Sequence, residues 1–220
     1  MGHNMTHQAQ DDLLRKLRVS VEAAKRHLPA SLPGLFALTD PVRMPDPIAV
    51  ANQLFAGCGI IYRHFGADDR LSVAQQLAKI AHSRNLTLLI GNDPDLAKQV
   101  GADGVHWPEA RLKEAIEWRT VFGIMTGAAH NPEAIGLART CHLDAALVSA
   151  IFPSSSPSAG PPIGVARFRD WANTAGLPVY GLGGVTVANM SELQDFAGSA
   201  MIGALGSLQG QAQNLSGFKT

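Results

Sequence analysis

Residues Leu177–Thr186 read LPVYGLGGVT. An apolar run over 178–182 ends in the pair Gly183 and Gly184, and the pattern predicts a helix from Val187 onward. Glycines at a strand-to-helix turn let backbone N–H groups approach a ligand closely, which is one way to hold a phosphate. A plain tight turn explains the same pair equally well, so both interpretations stay open at this point.

The same strand-then-helix unit repeats along the chain. Three of the helical segments begin with an N-cap residue followed by proline, at Asp46-Pro47, Asp93-Pro94 and Asn131-Pro132. Eight such units fit an open doubly wound sheet or a closed barrel, and the absence of a G-x-G-x-x-G pattern favours the barrel. The fold class predicted is therefore α/β, a single (β/α)8 TIM barrel, in which the loops after strands seven and eight often hold a phosphate. The apolar runs that predict its strands are 35–39, 59–63, 86–90, 104–107, 124–129, 145–151, 178–182 and 200–205.

Composition is consistent with one domain that has a large core. Of 220 residues, 46% are hydrophobic and 16% charged. Residues 1–10 are polar and are predicted to form a flexible tail. Residues 11–28 carry apolar side chains at helical spacing and are predicted to form an extra N-terminal helix. The barrel is assigned to residues 35–220.

The charge balance excludes some classes of partner. The net charge is zero, whereas nucleic-acid and membrane-surface binding call for a basic patch. No apolar run approaches the roughly 20 residues that cross a bilayer. Cys58 and Cys141 are too few and too far apart for a disulfide framework or a zinc site. We expect a cytoplasmic protein whose partner is a phosphorylated small molecule; both a monomer and a homodimer stay open.

Polar residues near the ends of the predicted strands are the candidates for chemistry. Arg63 lies in an apolar strand and needs an anionic partner, either a carboxylate of the protein or a ligand phosphate. Asp93 can bind Mg²⁺ or cap the helix that begins at Pro94, and the cap is favoured. His106 and His130 can act as an acid or a base near neutral pH, or can be neutral and hydrogen-bonded to backbone.

The longest interruption is Phe152–Gly164, FPSSSPSAGPPIG. Its Ser, Pro and Gly content fits a surface connection. Because it follows the sixth strand, it also fits a segment that covers a substrate on the active face.

Taken together, these pieces resemble the thiamine phosphate synthase and thiazole tautomerase (TenI-like) superfamily, over residues 35–208. The family is a (β/α)8 barrel, so the resemblance agrees with the strand count. The segments that carry it are LFALTDP (35–41), YRHF (62–65), LLIGNDPDLA (88–97), GADGVHW (101–107), AAHNPEAI (128–135), FPSSS (152–156), LPVYGLGGV (177–185) and Gly198–Leu205.

The resemblance implies an activity in thiamine biosynthesis. The synthase joins hydroxymethylpyrimidine diphosphate to thiazole phosphate, releases pyrophosphate and needs Mg²⁺. The catalytic candidates are Arg63, Asn92, Asp93 and His130, with Asp93 also a weak metal candidate. The candidates for substrate or phosphate binding are Ser154, Ser156, Gly183, Gly184, Gly203, Ala204 and Gly206.

Several positions depart from the family pattern. Ile61 and Phe65 stand where the family has glutamine and lysine, and Arg111 stands where it has a second magnesium-binding aspartate. The other departures are Ala128 for serine, Pro157 for lysine, Gly206 for serine and, relative to the tautomerase, Ala150 for histidine. We expect no tightly bound cofactor, weak Mg²⁺ binding, and Asp93 acting as an N-cap or as the partner of Arg63 or Arg111.

Two hypotheses follow about what the chain does. One is a divergent transferase of the thiamine phosphate synthase type, with very low turnover because several catalytic groups are replaced. The alternative is a non-catalytic binder or carrier of thiazole phosphate or a related phosphorylated small molecule. Whether the chain is an enzyme stays open from the sequence.

Overall fold

A computed structural model of the chain describes residues 7–154 and 160–203. Strands alternate with helices, and short 3₁₀ segments lie at Glu109–Glu114 and Met190–Glu192. The elements in chain order are α1 (His7–Lys25), β1 (Leu35–Leu38), α2 (Pro47–Gln53), β2 (Cys58–Tyr62), α3 (Arg70–Arg84), β3 (Thr87–Gly91), α4 (Pro94–Val100), β4 (Gly104–Trp107), α5 (Ala115–Trp118), β5 (Ile124–Ala129), α6 (Pro132–Thr140), β6 (Ala145–Ser149), α7 (Val165–Thr174), β7 (Val179–Leu182) and β8 (Gly198–Ile202).

The eight strands form a closed parallel barrel. Each strand pairs with the next, and β8 returns to β1 with Leu35 opposite Ser199 and Leu38 opposite Ile202. The predicted (β/α)8 barrel is confirmed, and the open sheet is excluded. Because all strands run in one direction, their carboxyl ends meet at one end of the barrel, where barrel proteins of this class place their ligand sites.

The amino end of the barrel is filled by apolar side chains. Tyr180 is fully buried there, and its hydroxyl donates a hydrogen bond to the Pro33 carbonyl oxygen at 2.5 Å. The apolar cluster that fills the interior contains Ala24, Leu28, Leu32, Phe36, Leu38, Ile61, Leu89, Ile124, Ala145, Leu147, Tyr180 and Ala200.

Helix α1 packs on the outside of this closed end. It begins at His7 and so includes residues 7–10, which the sequence analysis assigned to a tail, and it ends at Lys25 rather than at 28. Leu17 and Val21 on its inner face are fully buried. The ammonium of Lys25 donates to the carbonyl oxygens of Ala30 and Leu32, each at 3.2 Å. These bonds satisfy carbonyl groups just beyond the helix end. Among the described helices, none combines the length and the apolar character that crossing a bilayer requires.

The three predicted N-caps are confirmed. The side-chain oxygens of Asp46, Asp93 and Asn131 each accept a hydrogen bond from the N–H group three residues further along, at 2.8, 2.9 and 2.8 Å. Each cap satisfies one of the backbone donors that a helix start leaves without a partner.

The helix predicted from Val187 is wrong within the described residues, where only the 3₁₀ turn Met190–Glu192 follows β7. The side chain of Asn189 gives the physical reason. It accepts from the Thr186 N–H at 2.8 Å and donates to the Gly184 carbonyl at 3.0 Å. Such bonds offer the backbone an alternative to helix.

Replacing Tyr180 with phenylalanine is expected to lower the free energy of unfolding by about 1–3 kcal/mol, because the buried Pro33 carbonyl loses its donor. Tyr62→Phe is the matched control: the Tyr62 hydroxyl is equally buried but has no hydrogen-bond partner among the described residues. Urea unfolding of both variants measures the difference. Equal losses in the two variants would contradict this assignment.

Candidate functional site at the carboxyl ends of the strands

A cavity of about 810 Å³ lies at the carboxyl end of the barrel. This volume lies within the usual range of about 300–1,000 Å³ for small-molecule sites. Every strand contributes a lining residue in its last part or just beyond it, and these are Leu38, Arg63, Asn92, His106, Ala128, Ser149, Leu182 and Ile202.

Glycine backbone forms one side of the cavity, at the ends of β7 and β8. Gly183, Gly184 and Gly203 have φ angles of +84°, +67° and +72°, a region that side chains disfavour. A Cβ atom at Gly184 would collide with the Pro153 carbonyl oxygen. The N–H groups of Gly184, Val185 and Gly203 donate to none of the described residues. These backbone N–H groups are the candidate donors for an anion, and phosphate binding at this edge stays a prediction.

Arg43 lines the cavity next to this glycine edge and was not among the predicted residues. A Cβ atom at Gly203 would lie 3.0 Å from the Arg43 Cβ. The guanidinium donates to Asp40 at 2.8 Å, and this hydrogen bond lowers the pKa of Asp40 to about 2. The sequence feature that could have indicated Arg43 is its spacing from Asp40. The two residues follow the first strand three positions apart, so a single turn brings their side chains together.

Arg63 lines the cavity from the end of β2. Burial lowers the pKa of its guanidinium, while the charge of Asp40 opposes that shift. Its Cγ lies 3.1 Å from the position of a Cβ on Gly91, so the stem packs against the end of β3. No carboxylate of the described residues forms an ion pair with Arg63. A ligand anion as the partner of Arg63 stays a prediction.

His106 is buried in the cavity wall on β4. Its Nδ1 lies 2.9 Å from the Thr126 hydroxyl oxygen, so its partner is a side chain and not the backbone. Burial, helped by the charge of Arg63, lowers the pKa of His106 to about 3. At neutral pH the His106 imidazole is therefore neutral, so it cannot act as an imidazolium acid, and its low pKa makes it a weak base. This geometry favours a hydrogen-bonding role for His106 over an acid–base role.

His130 lies at the exposed rim of the cavity. Its Nδ1 is 2.6 Å from a carboxylate oxygen of Glu109. A carboxylate that holds one ring nitrogen orients the imidazole and leaves the other nitrogen for a ligand. The catalytic assignment of His130 stays a prediction.

Both carboxylate oxygens of Asp93 have partners in the protein. One carboxylate oxygen accepts from the Leu96 N–H as the predicted N-cap, and the other forms an ion pair with Arg70. Of the predicted alternatives, the N-cap is confirmed, and the ion pair is formed with Arg70, the first residue of α3, rather than with Arg63 or Arg111. Arg70 also donates to the Gly91 carbonyl at 3.3 Å.

Arg111 stands where the resemblance implies a second magnesium-binding carboxylate. Its guanidinium contacts both carboxylate oxygens of Glu114, one of them at 2.8 Å, and donates to the Asn92 side-chain oxygen at 2.5 Å. The hydrogen bond to Glu114 raises the pKa of Arg111. Within residues 7–154 and 160–203, no group of three or more His, Cys, Asp and Glu side chains is placed to hold a metal. Weak Mg²⁺ binding stays a prediction.

Asn92 itself adopts a left-handed backbone conformation, with φ of +56°. Asparagine tolerates this region better than most residues with side chains. The Asn92 N–H donates to the His106 carbonyl at 2.8 Å, which ties the end of β3 to β4.

Other departures leave parts of the wall apolar. Ile61 is fully buried in the barrel interior. Phe65 lines the mouth with 55% of its surface exposed, and the Arg70 guanidinium carbon lies 5.6 Å from its ring centre. Ala128 and Ala150 also line the cavity.

The remaining predicted residues divide into two groups. Ser154 lines the cavity. Ser156, Ala204 and Gly206 lie outside the described residues, so their roles stay predictions. The start of the predicted cover over 152–164 is tied to β7, because the Phe152 N–H donates to the Gly183 carbonyl at 3.0 Å.

The fold is a (β/α)8 barrel, and its cavity lies at the carboxyl ends of the strands, where barrels of this class carry their active sites. A family profile described as thiamine monophosphate synthase matches residues 45–205. The chain belongs to this family.

Individual relatives agree with that assignment. The chain is 32% identical over 197 residues to a thiamine-phosphate synthase of Alcanivorax borkumensis, covering 82% of this chain and 87% of that protein. It is 27% identical over 145 residues to the Lactococcus lactis subsp. cremoris enzyme. That match spans 63% of this chain and only 64% of the relative. Among solved structures, thiamine phosphate pyrophosphorylase from Pyrococcus furiosus superposes with a TM-score of 0.67 at 18% identity, covering 81% of this chain and 93% of that one, which supports the fold.

The neutral His106 is expected to make stability fall on acidification. An unfolded histidine takes up a proton below pH about 6.5, whereas the folded chain resists protonation until pH about 3. Between these values the native protein is expected to lose up to about 1.4 kcal/mol per pH unit more than the His106→Gln variant. Urea unfolding across this pH range measures the slope. His82→Gln, on the exposed surface of α3, controls for the substitution, and parallel curves for native protein and His106→Gln would contradict the assignment.

Proposed function

We propose that this chain is a divergent, thiamine phosphate synthase-like barrel of thiamine biosynthesis that binds the phosphate of thiazole phosphate at the ends of β7 and β8. The observation that carries the proposal is the glycine edge. The N–H groups of Gly184, Val185 and Gly203 lie on the cavity wall without partners among the described residues. Backbone donors of this kind bind phosphate without a dedicated side chain. Arg43, whose guanidinium pairs with Asp40, lies beside them.

The synthase reaction needs a second substrate, hydroxymethylpyrimidine diphosphate, whose pyrophosphate leaves. Arg63 and Asn92 line the same cavity from the ends of β2 and β3, where they are the candidates to bind a diphosphate. A guanidinium and an amide donor stabilise negative charge that develops on a leaving group. His130, held by Glu109, is the exposed candidate for proton transfer.

A second candidate function has its own support. Asp93 is occupied by Arg70 and by a helix N–H, and Arg111 replaces the second carboxylate. A barrel that keeps the glycine edge but lacks the metal-binding pair is suited to hold thiazole phosphate, or a related phosphorylated molecule, without converting it.

Calorimetric titration with thiazole phosphate tests the site that both functions share. Gly184→Ala is expected to weaken binding by roughly tenfold or more, because its Cβ would collide with the Pro153 carbonyl and displace the turn. Gly136→Ala is the control, because no atom lies within 4 Å of its Cβ position on α6.

Circular dichroism checks that each variant keeps the fold. If Gly184→Ala does not fold, Gly203→Ala is used in its place. A Cβ atom at Gly203 would first meet the Arg43 side chain, at 3.0 Å, and not a backbone carbonyl. Native affinity in a folded Gly184→Ala variant would exclude a phosphate at this edge.

Assay of thiamine phosphate formation separates the two functions. We expect very low or undetectable turnover, with or without Mg²⁺, because Arg111 stands in place of the second carboxylate and Asp93 is held by the Leu96 N–H and by Arg70. Asp93→Ala should then change stability by the loss of a cap, about 1 kcal/mol, and leave turnover at the same level. Robust Mg²⁺-dependent turnover that disappears in Asp93→Ala would instead establish a working synthase and exclude the binder.

A further inference from the structure

Phe65 is a large apolar side chain that stays open at the mouth of the cavity. It follows β2, lines the cavity and keeps 55% of its surface exposed. Of the described residues that line the cavity, it is the one phenylalanine, tyrosine or tryptophan. Apolar residues scattered singly over the outside of a protein need no explanation, whereas an aromatic ring in the wall of a concave site is a surface that a ligand can cover.

The Phe65 ring is held in place by two neighbours. The guanidinium carbon of Arg70 lies over the ring, 5.6 Å from its centre, within the range of a cation–π contact. Arg70 is itself fixed by its ion pair with Asp93 and its hydrogen bond to the Gly91 carbonyl. A Cβ atom at Gly91 would lie 3.4 Å from the Phe65 Cζ, so the tip of the ring rests near the end of β3. Because the ring is already positioned, a ligand that packs on it loses little of its binding energy to ordering the side chain.

The chemistry of this ring selects the kind of group that can bind there. A phenyl ring offers no hydrogen bond and no positive charge to an anion, but a flat ring can stack on it in an offset arrangement. The resemblance to the family implies a lysine at this position, so in this chain an aromatic surface replaces a cation at the mouth.

The cavity has room for more than a phosphate and one ring. The glycine edge and Phe65 line the same cavity of about 810 Å³, which lies in the upper part of the range of about 300–1,000 Å³ for small-molecule sites. We propose that Phe65 stacks on the second planar ring of a phosphate ester that carries two rings, and so makes the site prefer such a ligand to one with a single ring. This inference rests on the proposed function for the phosphate at the glycine edge.

Calorimetric titration of the full chain with thiamine phosphate, which has two rings, and with thiazole phosphate, which has one, tests the inference. The native protein is expected to bind thiamine phosphate more tightly. Phe65→Leu keeps an apolar side chain but has no ring to stack, so this preference is expected to fall by roughly three- to tenfold. Phe65→Tyr keeps the ring and is expected to retain the preference within about twofold.

Ile116→Ala is the control for an exposed apolar side chain. Ile116 is 53% exposed on α5 and is not among the described residues that line the cavity, so its replacement should leave the preference unchanged. Circular dichroism checks that each variant folds. A second measurement needs no variant: NMR of thiamine phosphate bound to the native protein is expected to show upfield ring-current shifts of its ring protons.

Two results would overturn the inference. One is a native protein that binds thiamine phosphate no more tightly than thiazole phosphate. The other is the same preference in the native protein and in folded Phe65→Leu. Thiazole phosphate binding that Gly184→Ala weakens would leave the proposed function intact in both cases. Conversely, thiamine phosphate binding that depends on Phe65, with no binding of thiazole phosphate, would contradict the proposed function alone.

Discussion

The pairing of β8 with β1 is the constraint on which the site depends. In parallel register from Leu35–Ser199 to Leu38–Ile202, it closes the sheet and brings eight carboxyl ends to one rim. The glycine edge at Gly203 and Arg63 at the end of β2 lie around the same cavity only because of this closure. In an open sheet the first and last strands would be at opposite edges.

The chemistry of the cavity changes around the rim. At β7 and β8 the donors are backbone N–H groups, whose direction is set by positive φ angles and which need no side chain. Near the ends of β2 to β4 lie guanidinium groups, of which Arg70 is held by Asp93 and the Gly91 carbonyl, and Arg111 by Glu114 and the Asn92 amide oxygen. The first kind of site tolerates many surrounding sequences, whereas the second depends on particular side chains such as Asp93 and Glu114. Three of the seven departures from the family pattern, Ile61, Phe65 and Arg111, fall in the second kind.

The sequence is sufficient to predict the barrel and the three capped helix starts because both depend on local patterns. Buried parallel strands appear as apolar runs, and a cap such as Asp46 acts on a donor three residues away. The partner of Asp93 could not be predicted in this way. Arg70 lies 23 residues earlier and reaches Asp93 only because α3 begins beside β3. Arg43 was not predicted for a similar reason, because it follows the first strand and its neighbour Gly203 follows the last.

The hydrogen bond from Tyr180 to Pro33 joins residues 147 positions apart in the chain. During synthesis, β1 therefore cannot pair with β8, its second neighbour, or gain the Tyr180 contact until most of the chain has been made. Until then its free edge, four apolar residues long, is open to pairing with another chain. Long-range contacts of this kind slow folding, because the intervening loop must close before the contact is made. By pairing with β1, the last strand therefore covers an edge that could aggregate, and it also completes the cavity.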